Sequence, residues 1–335
     1  MTEPLQKTSI SESELSDLIE KVENVRTEMA KALVGQQATI ELLMVGLLAG
    51  GHCLLEGVPG LAKTLMISSL SKALDLDFKR IQFTPDMMPS DVIGTEILEE
   101  DHSTGKRFFK FQKGPVFTNL LLADEINRTP PKTQAALLEA MQERVISFAG
   151  EEHILPKPFF VLATQNPIEQ AGTYALPEAQ LDRFLLHLKV DYPNYSEEVE
   201  ILKRTTGVEA AKVNAQLDEG HLLRLQSLTR SIIVADELIE NVATLVRLTR
   251  PKETNDSSVK KYIRWGAGPR AGQSILLAAK AKALLAGRLS VIPSDIEAIY
   301  LSALSHRILL TFEAQADGIS IETLMNSLFK KVFHK

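Results

Sequence analysis

The first fifty residues carry apolar positions at helical spacing. Such spacing over Ser11–Leu33 predicts an amphipathic helix, and Ser11 followed by Glu14 is the pattern of a capping box at its start. The sequence Val34-Gly35-Gln36 breaks this helix. A second and more apolar helix is predicted over Gln37–Ala49, where a pair of glycines ends it.

After these helices the pattern changes to short apolar runs of the length of buried strands. The runs are His52–Glu56, Phe78–Phe83, Leu120–Ala123, Phe159–Ala163 and Leu185–Val190, with helices predicted between them over Lys63–Asp75, Pro131–Arg144 and Pro177–Phe184. This alternation predicts a parallel sheet covered by helices on both faces. Two hairpins interrupt it, because residues 94–98 and 107–111, and likewise 145–148 and 153–155, flank turn sequences.

Beyond Tyr192-Pro193-Asn194 no strand pattern recurs. Helices are predicted over residues 196–206, 217–230, 235–250, 271–286, 294–306 and 319–332. The polar segment Lys252–Lys261 between them is predicted to be a mobile loop. The pattern therefore divides the chain into an α/β domain over residues 1–191 and an all-helical domain over residues 192–335.

Composition narrows the class of protein. The 335 residues are 44% hydrophobic and 24% charged, which excludes wholesale disorder. The formal net charge of −6 argues against nucleic acid as a partner. A single cysteine, Cys53, excludes an intramolecular disulfide, and its apolar neighbours predict a buried strand position. The seven histidines show no metal-ligand spacing. We expect a cytoplasmic protein, since the first residues lack a signal-peptide pattern and no apolar stretch is long enough to cross a bilayer.

A phosphate-binding pattern follows the first predicted strand. Residues 57–64 read Gly-Val-Pro-Gly-Leu-Ala-Lys-Thr and lead into a helix. In such a loop, backbone N–H groups face phosphates, Lys63 reaches the β and γ phosphates, and the Thr64 hydroxyl ligates Mg²⁺. The strict pattern has glycine where this chain has Ala62, so we expect Ala62 to adopt a conformation open to a Cβ. The flanking strand and helix argue against the alternative, a chance loop with a surface lysine.

Polar residues end the third and fourth predicted strands. The third strand closes on Asp124-Glu125, which places two carboxylates at the edge where open α/β sheets bind ligands. Asp124 suits the Mg²⁺ shell, and Glu125 suits a base that polarises an attacking water. The fourth strand ends at Asn166, which either orients that water or belongs to a plain Asn-Pro turn.

Five segments in order along the chain resemble MoxR-type AAA+ ATPases, the branch with an insertion in the second helix. The segments are residues 57–64, Leu122–Gln134 (LADEINRTPPKTQ), Ala163–Pro167 (ATQNP), Leu176–Phe184 (LPEAQLDRF) and Gly268–Ala271 (GPRA). Ala62 matches what this family commonly has. The resemblance implies a P-loop AAA+ αβα domain with two β-hairpin insertions and a helical lid.

The resemblance also implies roles for individual residues. Asn166 would be sensor 1, and Arg183 the arginine finger that reaches a neighbouring subunit's γ-phosphate; the alternative for Arg183 is an arginine that satisfies a helix C-terminus. Arg270 would be sensor 2, in cis or in trans, and Arg128 would face a neighbour. Nucleotide contacts would come from Val34, Gly35, Gln36, Gly57, Val58, Pro59, Gly60, Leu61, Ala62, Lys63, Thr64, Leu65, Asp124 and Arg270.

The function that the resemblance implies is Mg²⁺-dependent ATP hydrolysis by a chaperone-like remodeller. ATP or ADP and Mg²⁺ would be bound by a homo-oligomeric ring, a hexamer in most of the superfamily, with clients or von Willebrand factor A domain proteins as partners. Two alternatives remain: a nucleic-acid-directed motor, and a nucleotide-gated binding module with little turnover.

Phe108 and Phe109 fall on opposite faces of one predicted strand, so at least one aromatic side chain is expected to be exposed unless something covers it. It either packs within its own hairpin or faces a ring pore or a client.

Overall fold

The computed structural model describes residues 10–57, 60–100, 103, 105–166, 173–206 and 212–334. The strands are β1 (Cys53–Gly57), β2 (Phe78–Gln82), β3 (Gly94–Glu100), β4 (Arg107–Lys113), β5 (Leu120–Asp124), β6 (Val145–Phe148), β7 (Glu151–Ile154), β8 (Phe160–Gln165), β9 (Leu186–Val190), β10 (Ile263–Trp265) and β11 (Leu309–Leu310). The helices are α1 (Glu12–Ala32), α2 (Gln37–Leu48), α3 (Lys63–Ala73), α4 (Pro89–Ile93), α5 (Pro131–Glu143), α6 (Glu178–Leu181), α7 (Tyr195–Thr205), α8 (Glu219–Ser231), α9 (Asp236–Leu248), α10 (Ser257–Tyr262), α11 (Pro269–Leu285), α12 (Pro293–Leu304), α13 (Phe312–Ala316) and α14 (Ile321–Phe333).

Five strands form the predicted parallel sheet, in the order β2-β5-β8-β1-β9. The strands β5 and β8 are apolar and buried along nearly their whole length, as expected for parallel strands covered on both faces. Cys53 is fully buried in β1, which confirms its predicted environment. Because all five strands run the same way, the segments that follow β1, β5 and β8 meet at one edge of the sheet.

Both predicted hairpins are present and lie against each other. β3 pairs with β4 and β6 pairs with β7, each in antiparallel register. Phe111 of β4 stacks on His153 of β7, with ring centroids 4.2 Å apart. At the start of β4, nearer the turn of the hairpin, Phe108 and Phe109 are 45% and 70% exposed. The expectation of an exposed aromatic side chain on this hairpin is confirmed, although its turn residues 101, 102 and 104 lie outside the described residues.

Two expectations for the second half of the chain were wrong. A two-stranded antiparallel ladder, β10 with β11, lies among the helices; its strands are too short to show a period in the sequence. The polar segment predicted as a mobile loop contains α10. The Asp256 carboxylate caps this helix by accepting from the Ser258 and Val259 amides, and the Val259 side chain of the helix is buried. The cap and one apolar anchor suffice for a short helix.

The helical half packs directly on the first two helices. Gln226 of α8 donates to the Leu47 carbonyl of α2 (2.7 Å), and Arg224 pairs with Glu14 of α1 (2.7 Å). Buried side chains of α1, α2, α8 and α11 belong to one hydrophobic cluster that also covers one face of the sheet, while α5 covers the other face. No helix among the described residues is both long and apolar enough to cross a bilayer.

Candidate functional site

The loop after β1 has the close backbone approaches of a ligand cradle. A Cβ on Gly57 would lie 2.9 Å from the Val190 carbonyl of β9, so only glycine fits there. Gly60 has a φ of +87°, and Ala62, the N-cap of α3, has a φ of 54° and ψ of 24°. The expectation for Ala62 was wrong, because this left-handed conformation disfavours a Cβ. Val58 and Pro59 lie outside the described residues.

Lys63 and Thr64 open α3 at the edge of this loop. The Lys63 ammonium donates to the Gly57 carbonyl across the loop (2.5 Å). Burial lowers the pKa of Lys63, and the charges of Asp124 and Glu125 oppose that shift. Thr64 is half-buried beside it, whereas Leu61 is buried and Leu65 is exposed. The structure therefore brings the predicted phosphate-binding lysine to the two predicted carboxylates.

Asp124, the last residue of β5, is held on both oxygens. Its Oδ2 accepts from Arg80 Nη2 (2.7 Å), and its Oδ1 accepts from Thr164 Oγ1 (2.6 Å). The same Thr164 oxygen accepts from the Glu125 amide (2.9 Å). Thr164 thus links both acidic positions, a role that the sequence analysis missed. Its signal was a threonine that directly follows the apolar run of β8.

The Glu125 carboxylate is restrained from a neighbouring strand and from its own turn. Its Oε2 accepts from Gln82 Nε2 of β2 (2.8 Å) and from Arg128 Nη1 (3.2 Å). The backbone of Glu125 is left-handed, with a φ of 57°. Arg128, which the resemblance places near a neighbour, pairs here within its own chain. Asn166, which directly follows β8, is buried.

The segment predicted to line the nucleotide base lies against the phosphate-binding loop. Gln36 is left-handed (φ 59°) and its Nε2 donates to the Leu61 carbonyl (3.4 Å). Gly35 has a φ of +70°, which favours glycine, and a Cβ on it would lie 2.6 Å from Glu197 Oε1 at the start of α7. Val34 is half-buried next to them. The segment therefore lies between the loop and α7, where it can bind a base.

Arg183 and Arg270 lie elsewhere, at the opposite edge of the sheet. Both line a cleft of about 280 Å³ together with Gly50, Gly51 and His52, which precede β1. The phosphate-binding loop follows β1. The strand is 5 residues long, or about 17 Å, which exceeds the length of an arginine side chain. The structure does not bring these two arginines to Lys63 of the same chain.

A buried arginine holds the segment that carries Arg183. Arg307, after α12, donates to Asp182 Oδ1 (2.7 Å), to the Phe184 carbonyl (2.7 Å) and to Ser274 of α11 (3.0 Å). Burial lowers the pKa of Arg307, and the bond to Asp182 opposes that shift. Asp182 also lies 3.6 Å from Arg270. One carboxylate therefore joins the elements that carry Arg183 and Arg270.

Comparisons with known proteins agree with this geometry. Residues 52–186 match the family model described as "ATPase family associated with various cellular activities (AAA)", and residues 255–328 match the AAA lid domain. The chain is 45% identical to the chaperone MoxR1 of Mycobacterium tuberculosis over 315 residues, covering 94% of this chain and 82% of the relative. It is 30% identical to protein MoxR of Methylorubrum extorquens, covering 95% of this chain and 96% of that relative.

The chain belongs to the MoxR family of AAA+ ATPases. A solved structure of a candidate ATPase from Cytophaga hutchinsonii superposes with a TM-score of 0.88 at 42% identity, covering 95% of this chain and 96% of that one. These matches confirm the predicted fold, an AAA+ domain with a parallel sheet followed by a helical lid.

The oxygen donors at the MoxR site fit the magnesium that AAA+ ATPases typically use. The Thr64 hydroxyl and the Asp124 carboxylate are hard oxygen ligands of the kind that Mg²⁺ prefers. Among the described residues no group of three or more His, Cys, Asp or Glu side chains could hold a metal ion. Mg²⁺ bound by few protein ligands usually completes its shell with water and substrate phosphates, which this donor set allows.

Proposed function

We propose that this MoxR protein hydrolyses ATP with Mg²⁺ at the carboxyl edge of its sheet. The observation that carries the proposal is the convergence of Lys63, Asp124 and Glu125 there, with Thr164 bonded to both acidic positions. The bound metal would neutralise charge on the phosphates. Every other requirement of phosphoryl transfer is positioning and charge stabilisation, which the chain's own side chains supply.

Each side chain at this edge has a part in the proposed reaction that follows from its contacts in the structure. Lys63 exchanges the Gly57 carbonyl for phosphate oxygens, which are stronger acceptors because they are charged. Gln82 and Arg128 both donate to Oε2 of Glu125, so Oε1 is the oxygen that accepts a proton from the attacking water. Asn166, at the end of the neighbouring strand β8, orients that water. Thr64 and Asp124 hold the metal.

The site is proposed to be shared between subunits of a ring. Arg183 and Arg270 line a cleft at the edge opposite to their own Lys63, which favours contact with an adjacent subunit's nucleotide. Repeating one such head-to-tail contact closes a ring, and a hexamer is the size that the family resemblance suggests. This arrangement gives Arg183 the role of arginine finger and gives Arg270 its sensor role in trans.

The work done by hydrolysis is proposed to be remodelling of partner proteins. Two observations support this: a relative that is 45% identical is named a chaperone, and the β3–β4 hairpin presents the paired side chains Leu98 and Phe109, 55% and 70% exposed. Von Willebrand factor A domain proteins are the partner class that the family resemblance suggests. The domain boundary after residue 191 and the cytoplasmic location remain predictions from the sequence.

The test measures ATP turnover against protein concentration, with molar mass determined by light scattering on the same samples. Specific activity should rise with assembly in the parent protein and fall about a thousandfold or more in Arg183→Ala. Glu125→Gln should bind ATP, assemble and fail to hydrolyse it. Turnover that is independent of concentration and of Arg183 would refute the shared site.

The same assay separates the two alternative functions. A nucleotide-gated binding module would bind ATP with a turnover that Glu125→Gln leaves unchanged. A nucleic-acid-directed motor would be stimulated by DNA, and the stimulation would fall with rising salt. We expect neither result.

A further inference from the structure

A third arginine, outside every motif in the sequence, lies in the cleft with Arg183 and Arg270. Arg230 lies in the last turn of α8, is exposed, and lines the same cleft. Within the described ranges the guanidinium groups of Arg183 and Arg230 make no hydrogen bond or ion pair. Three elements that are distant in sequence therefore direct arginines into one concave surface.

The positive charge of this cleft is compensated only in part, because four arginines share one carboxylate. Asp182 is the only carboxylate among the described residues that line it, and this carboxylate is already bonded to Arg307. The positive charge of Arg230 adds to burial in lowering the pKa of Arg144 and of Lys280. Like charges brought together in this way repel each other unless an anion binds between them.

A purely structural role for Arg230, at the end of its helix, does not explain the cationic residues around it. An arginine in the last turn of a helix interacts favourably with the helix dipole. Arg247 does so in the last turn of α9, and there it also pairs with Glu253 (3.1 Å). Arg230 has the same helical position but cationic neighbours, so the dipole alone does not explain the cluster around it.

We propose that Arg230 binds the phosphate groups of the ATP held by the adjacent subunit, together with Arg183 and Arg270. This inference rests on the shared site of the proposed function. The planar guanidinium fork matches phosphate oxygens, and a triphosphate supplies enough negative charge for three arginines. Since Arg230 and Arg270 both belong to the helical half, the adjacent nucleotide would hold that half as well as the Arg183 segment.

The first experiment compares Arg230→Ala with Arg247→Ala. Both changes remove an arginine from a last helical turn, so any loss of the dipole interaction is common to them. Loss of a charge-assisted phosphate contact should lower ATP turnover by about tenfold to a hundredfold in Arg230→Ala. Arg247→Ala should stay near the parent value. Equal turnover in both variants would overturn the proposal.

The second experiment mixes subunits. Lys63→Ala cannot use its own nucleotide but keeps its arginines, whereas Arg230→Ala has the opposite defect. In rings formed from equal amounts, about one quarter of the sites combine an intact Lys63 with an intact Arg230 from the neighbour. Turnover should therefore rise well above the average of the two separate variants. The mixture of Arg183→Ala with Lys63→Ala serves as the reference.

The outcomes separate this inference from the proposed function. If the Arg183 mixture recovers turnover and the Arg230 mixture does not, only the role of Arg230 in trans is wrong. If neither mixture recovers, the shared site itself is refuted, and the inference with it. If the parent protein assembles without nucleotide and Arg230→Ala does not, by light scattering, Arg230 binds a group of the adjacent subunit itself, and the phosphate assignment is overturned.

Discussion

At the scale of single residues, the site is built on backbone conformations that most residues avoid. Gln36, Ala62 and Glu125 all have positive φ angles, and each lies directly before a helix. A left-handed residue other than glycine costs about 1–2 kcal/mol. Such strain is found where a loop must direct its groups towards a ligand. The local cost at Ala62 can be measured directly.

Ala62→Gly should leave the free energy of unfolding unchanged or raise it by up to about 1 kcal/mol. The change relieves left-handed strain, while the added freedom of the unfolded chain offsets part of that gain. Ala243→Gly, at an exposed position inside α9, is the matched control and should lose about 1 kcal/mol. Urea denaturation of both variants checks the prediction, and equal losses would contradict it.

Thr164→Val should lower ATP turnover by tenfold or more and destabilise the fold by about 1–3 kcal/mol. Valine keeps the shape of threonine but leaves the Glu125 amide and one Asp124 oxygen without their partner. Thr164→Ser, which retains the hydroxyl, should keep most of the ATP turnover and most of the stability of the parent protein. Steady-state turnover and urea denaturation are the measurements. Failure of serine to rescue would mean that the methyl group matters instead.

His52 should make the fold sensitive to mild acid. Burial lowers its pKa to about 4, the positive charge of Arg144 adds to that shift, and the hydrogen bond between Nε2 and the Met141 carbonyl opposes it. In the folded chain Nδ1 accepts from the Val161 amide. The unfolded chain binds this proton near pH 6.5, so stability is complete above that pH and is lost as the pH falls towards 4. The loss at pH 5 is about 2 kcal/mol.

This pH dependence is measured by urea denaturation at pH 7 and pH 5. His52→Gln should show a smaller decrease than the parent protein, whereas His334→Gln, at an exposed position, should show the same decrease. The same decrease in all three proteins would rule out His52 as its source.

At the scale of elements, the helical half controls the position of the Arg183 segment. Arg307 donates to three of the residues before β9, through the Asp182 carboxylate and the Phe184 and Leu185 carbonyls. A shift of α12 would therefore move Arg183 with it. Arg288 and Asp295 form a second ion pair within the helical half, bonded through both guanidinium nitrogens (2.7 and 2.6 Å), and neither residue lines the cleft.

Arg307→Met should cost about 3 kcal/mol or more of stability and should also remove most ATP turnover. Arg288→Met should cost stability to a similar degree but retain turnover, measured at a temperature where both variants are folded. Arg307→Lys should not rescue turnover, because an ammonium cannot reproduce the guanidinium fork. Retained turnover in folded Arg307→Met would contradict the positioning role.

At the scale of the whole molecule, the two halves share one hydrophobic core. Eight of the twelve residues of α2 are buried, between the sheet and the helices α8 and α11. We therefore expect a single cooperative unfolding transition in calorimetry rather than two. A chain shortened to residues 1–191 should be aggregation-prone because it exposes the apolar side chains of α2. Two resolved transitions in the full chain would contradict this expectation.

The sequence by itself determined the elements, their order and the residues at the phosphate edge. The spacing of apolar residues along the chain is a local property that predicts helices and strands. Parallel strands then bring their carboxyl ends to one edge of the sheet, whatever their order. Lys63, Asp124 and Glu125 were predicted for that reason. The ladder β10–β11, with strands of three and two residues, and the six-residue helix α10 escaped prediction, because segments this short carry no measurable period.

Only the tertiary structure decided which side chains act together. The left-handed backbone of Ala62, the bridging hydroxyl of Thr164 and the cleft that collects Arg183, Arg230 and Arg270 all depend on contacts between residues distant in sequence. Such contacts follow from how helices pack on the sheet, and no local pattern encodes that packing. The sequence therefore determined the chemistry of each position, and the packing determined the edge of the sheet at which that chemistry is presented.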